Sequence, residues 1–199
     1  MGDLKLKTTN IKKEIYYATS NPGKFDEVKR FIEEHAPSIE LKQFNEDLVE
    51  KQTSDAKSIA ISKSKQAWEK LKKPILVDDS GIYFNQYHNF PGTMTRYVYE
   101  GIGYEGIFSL LTKDPSAYFL LYMVFIDENN LEIFQGKCEG KIIKPKNFDA
   151  PPGLPYDAIF LPDGSKLTYS QLRNTPDEKK YAYRLKAVMK FLEWFKNNY

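Results

Sequence analysis

Lys24 closes the stretch "ATSNPGK", Ala18 to Lys24, which lies between the apolar run "EIYY" and a charged amphipathic segment. A Gly-Lys pair at such a turn invites comparison with the phosphate-binding P-loop, G-x-x-x-x-G-K-[ST]. The comparison fails at both ends, because Ala18 stands at the first glycine and Phe25 at the hydroxyl residue that would meet magnesium. What is left is Thr19, Ser20, Asn21 and Lys24 clustered where a helix begins, and a helix start with a lysine beside it favours anions. The same residues would also make an ordinary capped turn with a solvated lysine. A second candidate is "ILVDDSG", which places Asp78 and Asp79 at the expected end of an apolar strand. Ligands of α/β sheets bind outside the carboxyl ends of strands, where a carboxylate can hold Mg²⁺ or activate a water. Adjacent strand residues point to opposite faces, so the two acids need not enter one site. An acidic turn would give the same pattern.

Two further cations stand on apolar stripes. Lys63 falls four residues after Ile59 and four before Ala67, on the face that also carries Ala60 and Leu71. Arg184 falls three residues after Tyr181 and four before Val188. Such side chains either snorkel along the core or line a cleft and meet an anion. Glu50 lies in a polar stretch before the helix of Lys63 and has no local pattern of its own. A polyphosphate bound with a divalent metal would use all of these groups.

The elements that must position them read as follows. "IYYAT" is a first strand, Gly23 to His35 a helix with Phe25, Val28, Ile32 and His35 on one face, and "IELKQF" a second strand. Asp55 caps a helix running to about Lys72. "PILVDDSG" and "IYFNQY" read as two strands separated by a turn, and "FPGT" breaks the chain. A helix from Tyr104 to Thr112 leads to a long strand from Ala117. "LEIFQG" and "CEGKII" follow as two partners joined through a glycine turn. A Pro-rich loop, "KPKNFDAPPGLPYDAIF", enters a short strand, and a last helix runs from Asp177 to the end with Tyr181, Leu185, Val188, Leu192 and Phe195 as its stripe. Mixed strands and helices over the whole length predict an α/β fold with a partly antiparallel sheet.

Composition narrows the function. The 199 residues, 41% apolar and 15% aromatic, suit one domain with a substantial core. Lys and Arg number 29 against 27 Asp and Glu, too even a balance for a nucleic-acid surface. The lone Cys138 excludes an internal disulfide, has no Cys or His neighbours for zinc, and fits a reducing cytoplasm. Residues 1–14 lack the apolar centre of a signal peptide and read as a flexible arm before a single domain over 15–199. No apolar run approaches the length of a membrane span, which takes roughly 20 residues.

Five blocks in order give a more specific reading. Thr19, Asn21, Lys24 and Glu27 meet the pattern T-x-N-x-x-K-x-x-E; Val77 to Gly81 give "VDDSG"; Pro91-Gly92 supply a "PG" turn; Gly140 to Ile142 give "GKI"; and Tyr156 to Gly164 give "YDAIFLPDG". With these, the chain from Ile15 to Phe195 resembles the inosine triphosphate pyrophosphatase family. The resemblance implies a two-lobed α/β fold with a long central mixed sheet flanked by helices, a nucleotide cleft between the lobes, and a homodimer. It implies hydrolysis of (deoxy)inosine and xanthosine triphosphates to monophosphate and pyrophosphate, with Mg²⁺, for which Mn²⁺ can substitute, as the cofactor. Thr19, Ser20, Asn21, Lys24 and Lys63 would hold the triphosphate, Lys24 and Lys63 stabilising charge on the leaving group. Glu50 and Asp79 would hold the metal, with Asp79 essential for the attacking water and Ser80 the polar residue after it. Tyr156, Asp157, Lys179, Tyr183 and Arg184 would form the base end. That end departs from the family pattern: "LPYD" replaces F-G-[YW]-D, and Ala182-Tyr183-Arg184 replaces Ser-His-Arg. Two alternatives stay open, the same reaction on a modified or pyrimidine base, and a nucleotide-binding protein that does not hydrolyse.

Overall fold

A computed structural model describes residues 12–88 and 90–199. Its first strand, β1 (Lys13–Ala18), starts two residues before Ile15, so Lys13 and Glu14 belong to the sheet; residues 1–11 of the expected arm lie outside the described residues. Asn21 caps α1 (Pro22–His35), its side chain accepting from the Lys24 N–H, and Pro22 fills the first helical position, where no N–H is needed. β2 (Ile39–Phe44) follows, and then α2 (Ala56–Leu71), capped by Asp55, whose carboxylate accepts from Lys57 and Ser58 N–H groups. The chain continues through β3 (Ile75–Phe84), β4 (Pro91–Gly92), α3 (Thr95–Leu110), β5 (Ser116–Ile126), β6 (Leu131–Ile142), β7 (Phe160–Pro162), α4 (Tyr169–Leu172), α5 (Glu178–Tyr181) and α6 (Tyr183–Asn198).

The strands form one mixed sheet in the order β2-β1-β3-β5-β6-β7, with β4 beside β3. β1 runs parallel to β2 and β3, whereas β3, β5, β6 and β7 pair antiparallel. β3 is therefore the junction between a parallel and an antiparallel half. Helices cover both faces. On one, Leu76 joins the large core with Phe31 of α1 and Val188 and Phe191 of α6. On the other, Ile75 and Val77 pack with Ala67 of α2. The mixed α/β architecture agrees with the sequence reading.

Two glycines were expected to mark turns and instead mark close approach. "PILVDDSG" and "IYFNQY" form the single strand β3, because Gly81 lets the backbone of β4 come in; a Cβ there would lie 2.2 Å from the Gly92 carbonyl oxygen. "LEIFQG" and "CEGKII" likewise form the single strand β6, where a Cβ on Gly136 would lie 1.8 Å from the Tyr183 carbonyl oxygen. A strand glycine admits a neighbouring backbone as readily as it permits a bend. The helix expected from Tyr104 begins earlier, at Thr95, and is kinked at Gly103, whose φ of +59° suits glycine. The final helix is broken at Ala182, which is extended, so Arg184 sits in the first turn of α6 rather than in mid-helix.

Candidate active site

Alternation along β3 decides where its two acids go. Asp78 follows Leu76 onto the face of α1 and α6, and Asp79 follows Val77 onto the face of α2. Each meets a cation from the helices on its side. Lys24 Nζ lies 3.1 Å from Asp78 Oδ1, and Arg184 Nε donates to Asp78 Oδ2 over 2.9 Å. Lys63 Nζ lies 2.6 Å from Glu50 Oε1 and 3.6 Å from Asp79 Oδ1, so one ammonium gathers two carboxylates that are 29 residues apart in the chain. Both acids border one cleft of about 920 Å³, although they face opposite ways across the sheet.

Their protonation differs for physical reasons. Burial alone would raise the Asp78 pKa, but Lys24 and Arg184 outweigh it and hold this carboxyl well below the usual range. Asp79 has weaker cationic support and two acids, Glu50 and Asp78, nearby. Burial therefore prevails against Lys63 and Lys24 and pushes it up to about 6. Burial also works against the charged Lys63, but Asp79 and Glu50 overcome it and raise its pKa, so the ammonium stays charged. Asp78 is thus a fixed anion that anchors cations, whereas Asp79 is basic enough to accept a proton from water near neutral pH.

The cleft is lined by Thr19, Ser20, Asn21, Lys24, Glu50, Lys63, Asp79, Ser80, Tyr156, Asp157 and Tyr183, all expected from sequence. Several have structural duties as well. Thr19 Oγ1 accepts from the Asn21 N–H, and Asn21 Nδ2 donates to the Gly153 carbonyl, tying the "TSNPGK" loop to the Pro-rich loop across the cleft. Tyr156 donates its hydroxyl to the Thr95 carbonyl, which fixes its ring against α3. Tyr183 stacks on Phe119 with centroids 4.7 Å apart and is almost wholly buried where it lines the cleft. Burial pushes its pKa up, so it remains a phenol able to donate.

Two expected substrate contacts lie elsewhere. Lys179 is exposed on α5 and pairs with Glu34 of α1, because the helix break at Ala182 turns α5 away from the cleft. Arg184 is fully buried beneath the cleft floor, where its guanidinium is engaged by Asp78 and Glu27 with Ser80 Oγ 3.5 Å away. It therefore holds Asp78 and Glu27 in place and does not itself border the cleft.

Sequence reasoning missed three groups. Glu27 was noted only as part of a motif, yet it is buried and its Oε2 joins Arg184 to Arg173. Arg173, from the loop after α4, clamps Asp157 Oδ2 through Nε at 2.7 Å and NH2 at 2.6 Å. Arg96 on α3 adds a cation at the rim. No local pattern marks Arg173; the one available signal is that a buried Asp157 needs a counter-charge.

Fold and cleft together define a mixed-sheet α/β protein that gathers paired lysines and paired carboxylates in one cleft beside a wall of aromatic rings. A model of the Ham1 family matches residues 15–194, and the chain belongs to that family. It is 31% identical over 188 residues to a dITP/XTP pyrophosphatase of Methanopyrus kandleri, covering 93% of this chain and 97% of that protein. It is 34% identical over 189 residues to the dITP/XTP pyrophosphatase of Pyrococcus horikoshii, covering 93% and 98%. The solved Ham1 protein of Staphylococcus aureus shares the fold with a TM-score of 0.75 at 23% identity, covering 94% of this chain and 100% of that one. The family resemblance read from the five sequence blocks is borne out.

Proposed function

We propose that the chain is a nucleoside triphosphate pyrophosphohydrolase that acts on (deoxy)inosine and xanthosine triphosphates. The observation that carries this reading is Lys63 Nζ held between Glu50 and Asp79 on one wall of the cleft, in a chain whose relatives are named dITP/XTP pyrophosphatases. Water attacks the α-phosphorus, the bond to the bridging oxygen breaks, and pyrophosphate leaves. Asp79 orients that water and takes its proton. Lys24 and Lys63, already fixed by their carboxylate partners, meet the charge that builds on the leaving pyrophosphate.

The donor set fits Mg²⁺. Glu50 and Asp79 present hard oxygen atoms on one wall of the cleft, 2.6 and 3.6 Å from Lys63 Nζ. Mg²⁺ favours such sites, with one or two carboxylates and the substrate's own phosphates completing the shell. Bound there, Mg²⁺ or Mn²⁺ would neutralise phosphate charge and polarise the reacting phosphorus. At the base end the Tyr183 phenol stands where the family pattern has histidine and supplies a donor for a carbonyl of the base. The same replacement supports a second reading, in which the reaction is kept but the favoured base differs. A homodimer in the cytoplasm completes the proposal; buried, unpaired Cys138 suits a reducing compartment. Among the described residues, no helix is long and apolar enough to cross a membrane.

Chromatography of the products after incubation with ITP and Mg²⁺ tests the reaction. Monophosphate and pyrophosphate are expected, and Asp79→Asn should abolish both while leaving the fold intact. Diphosphate and phosphate would show cleavage at the wrong bond, and near-normal turnover by Asp79→Asn would remove its assigned role.

A further inference from the structure

The floor of the cleft contains a continuous chain of alternating charges. Lys24 binds Asp78, Asp78 binds Arg184, Arg184 binds Glu27, Glu27 binds Arg173, and Arg173 binds Asp157. Three cations balance three anions, and the chain runs from the phosphate-binding lysine to the opposite, aromatic end of the cleft. Arg173 is its terminal cation. Both of its contacts with Asp157 fall on Oδ2, and Asp157, although almost wholly buried, lines the cleft.

Resting on the nucleotide reading above, we infer that Arg173 is a positioning residue for base selection: it holds Asp157 as an ionised, oriented acceptor for a ring N–H. A carboxylate at that place suits a base edge that presents N–H beside a carbonyl, as 6-oxopurines do. It opposes the adenine edge, whose ring nitrogen carries a lone pair. Removing Arg173 leaves a buried carboxyl with no clamp. It then takes up a proton, becomes a donor, and accepts the adenine edge.

The charged and titratable groups around Asp157 are consistent with this. Burial pushes Asp157 up to about 6 even with Arg173 in contact, Glu27 adds to the rise, and Arg184 opposes it. Tyr104, Tyr169 and Tyr183 face it as phenols whose pKa values are raised. Without Arg173 the carboxyl moves further up, into the neutral range.

The test is the ratio of kcat/KM for ITP to that for ATP, measured from pH 5.5 to 9 on wild type, Arg173→Met and Arg173→Lys. The two substrates share a triphosphate, so titration of Asp79 cancels in the ratio. In wild type the ratio should be level above neutrality and fall as pH drops through about 6. In Arg173→Met the fall should move to higher pH, reducing the ratio at pH 7 by about tenfold or more, while Arg173→Lys restores most of it. Should Arg173→Met fail to fold, Arg173→Gln, which keeps hydrogen bonds but no charge, takes its place. A wild-type ratio independent of pH, or a folded Arg173→Met or Arg173→Gln whose ratio matches wild type throughout, overturns the inference. Absence of pyrophosphate from every nucleotide with wild-type protein would overturn the underlying function instead.

Discussion

Arg184 shows how one side chain can brace a site that it does not border. Its guanidinium is fully buried and neutralises both Asp78 and Glu27, each also buried. Removing one partner of such an arrangement strands charge in a dry interior, which costs about 3–5 kcal/mol. Arg184→Met should therefore lower stability by that order in denaturant titration, far more than Lys179→Met, whose ion pair with Glu34 is exposed and worth little. Equal losses from the two substitutions would contradict the assignment of Arg184 to the cleft floor. From sequence, the helical stripe marked Arg184 correctly as inward-facing, but periodicity cannot distinguish a cation facing a ligand from one facing buried acids. The same limit applied to Asp78 and Asp79. Their opposite orientation followed from strand alternation, whereas their different protonation depends on which helices bring Lys24, Arg184 and Lys63 to them.

Among the elements, β3 and β6 were each legible as apolar runs, and their continuity was not. Gly81 and Gly136 look like turn residues locally, and only the approach of β4 and of the α6 start explains them. This matters for the site because Gly136 seats the carbonyl of Tyr183. Gly136→Ala would place a methyl group against that backbone, which cannot yield as a flexible side chain would. It should destabilise the protein by about 2 kcal/mol or more and raise KM for nucleotide with a smaller effect on kcat, since Tyr183 moves while Asp79 and Lys63 do not. Unchanged stability and KM would show that α6 is free to shift. The helix break at Ala182 was equally hidden. No glycine or proline announces it, so a single helix from Asp177 was the natural reading, and Lys179 was accordingly placed at the base end.

At the scale of the molecule, the site exists because β3 joins two kinds of sheet. The parallel half brings the start of α1, with Lys24, to its end of the cleft. The antiparallel half brings β5 and the start of α6, with Phe119 and Tyr183, to the other. Asp78 and Asp79 occupy the junction. On the proposed reading, phosphate recognition and base recognition come from different halves. That is consistent with a sequence whose motifs match the family at the phosphate end while departing from it at Leu154-Pro155 and Ala182-Tyr183. The most direct measurement of the central claim is pyrophosphate release by the purified chain with Mg²⁺ from ITP, XTP, GTP, dUTP and TTP in parallel. The account predicts rapid release from ITP and XTP and little from the others. Nucleotide binding with no release from any of them would contradict it.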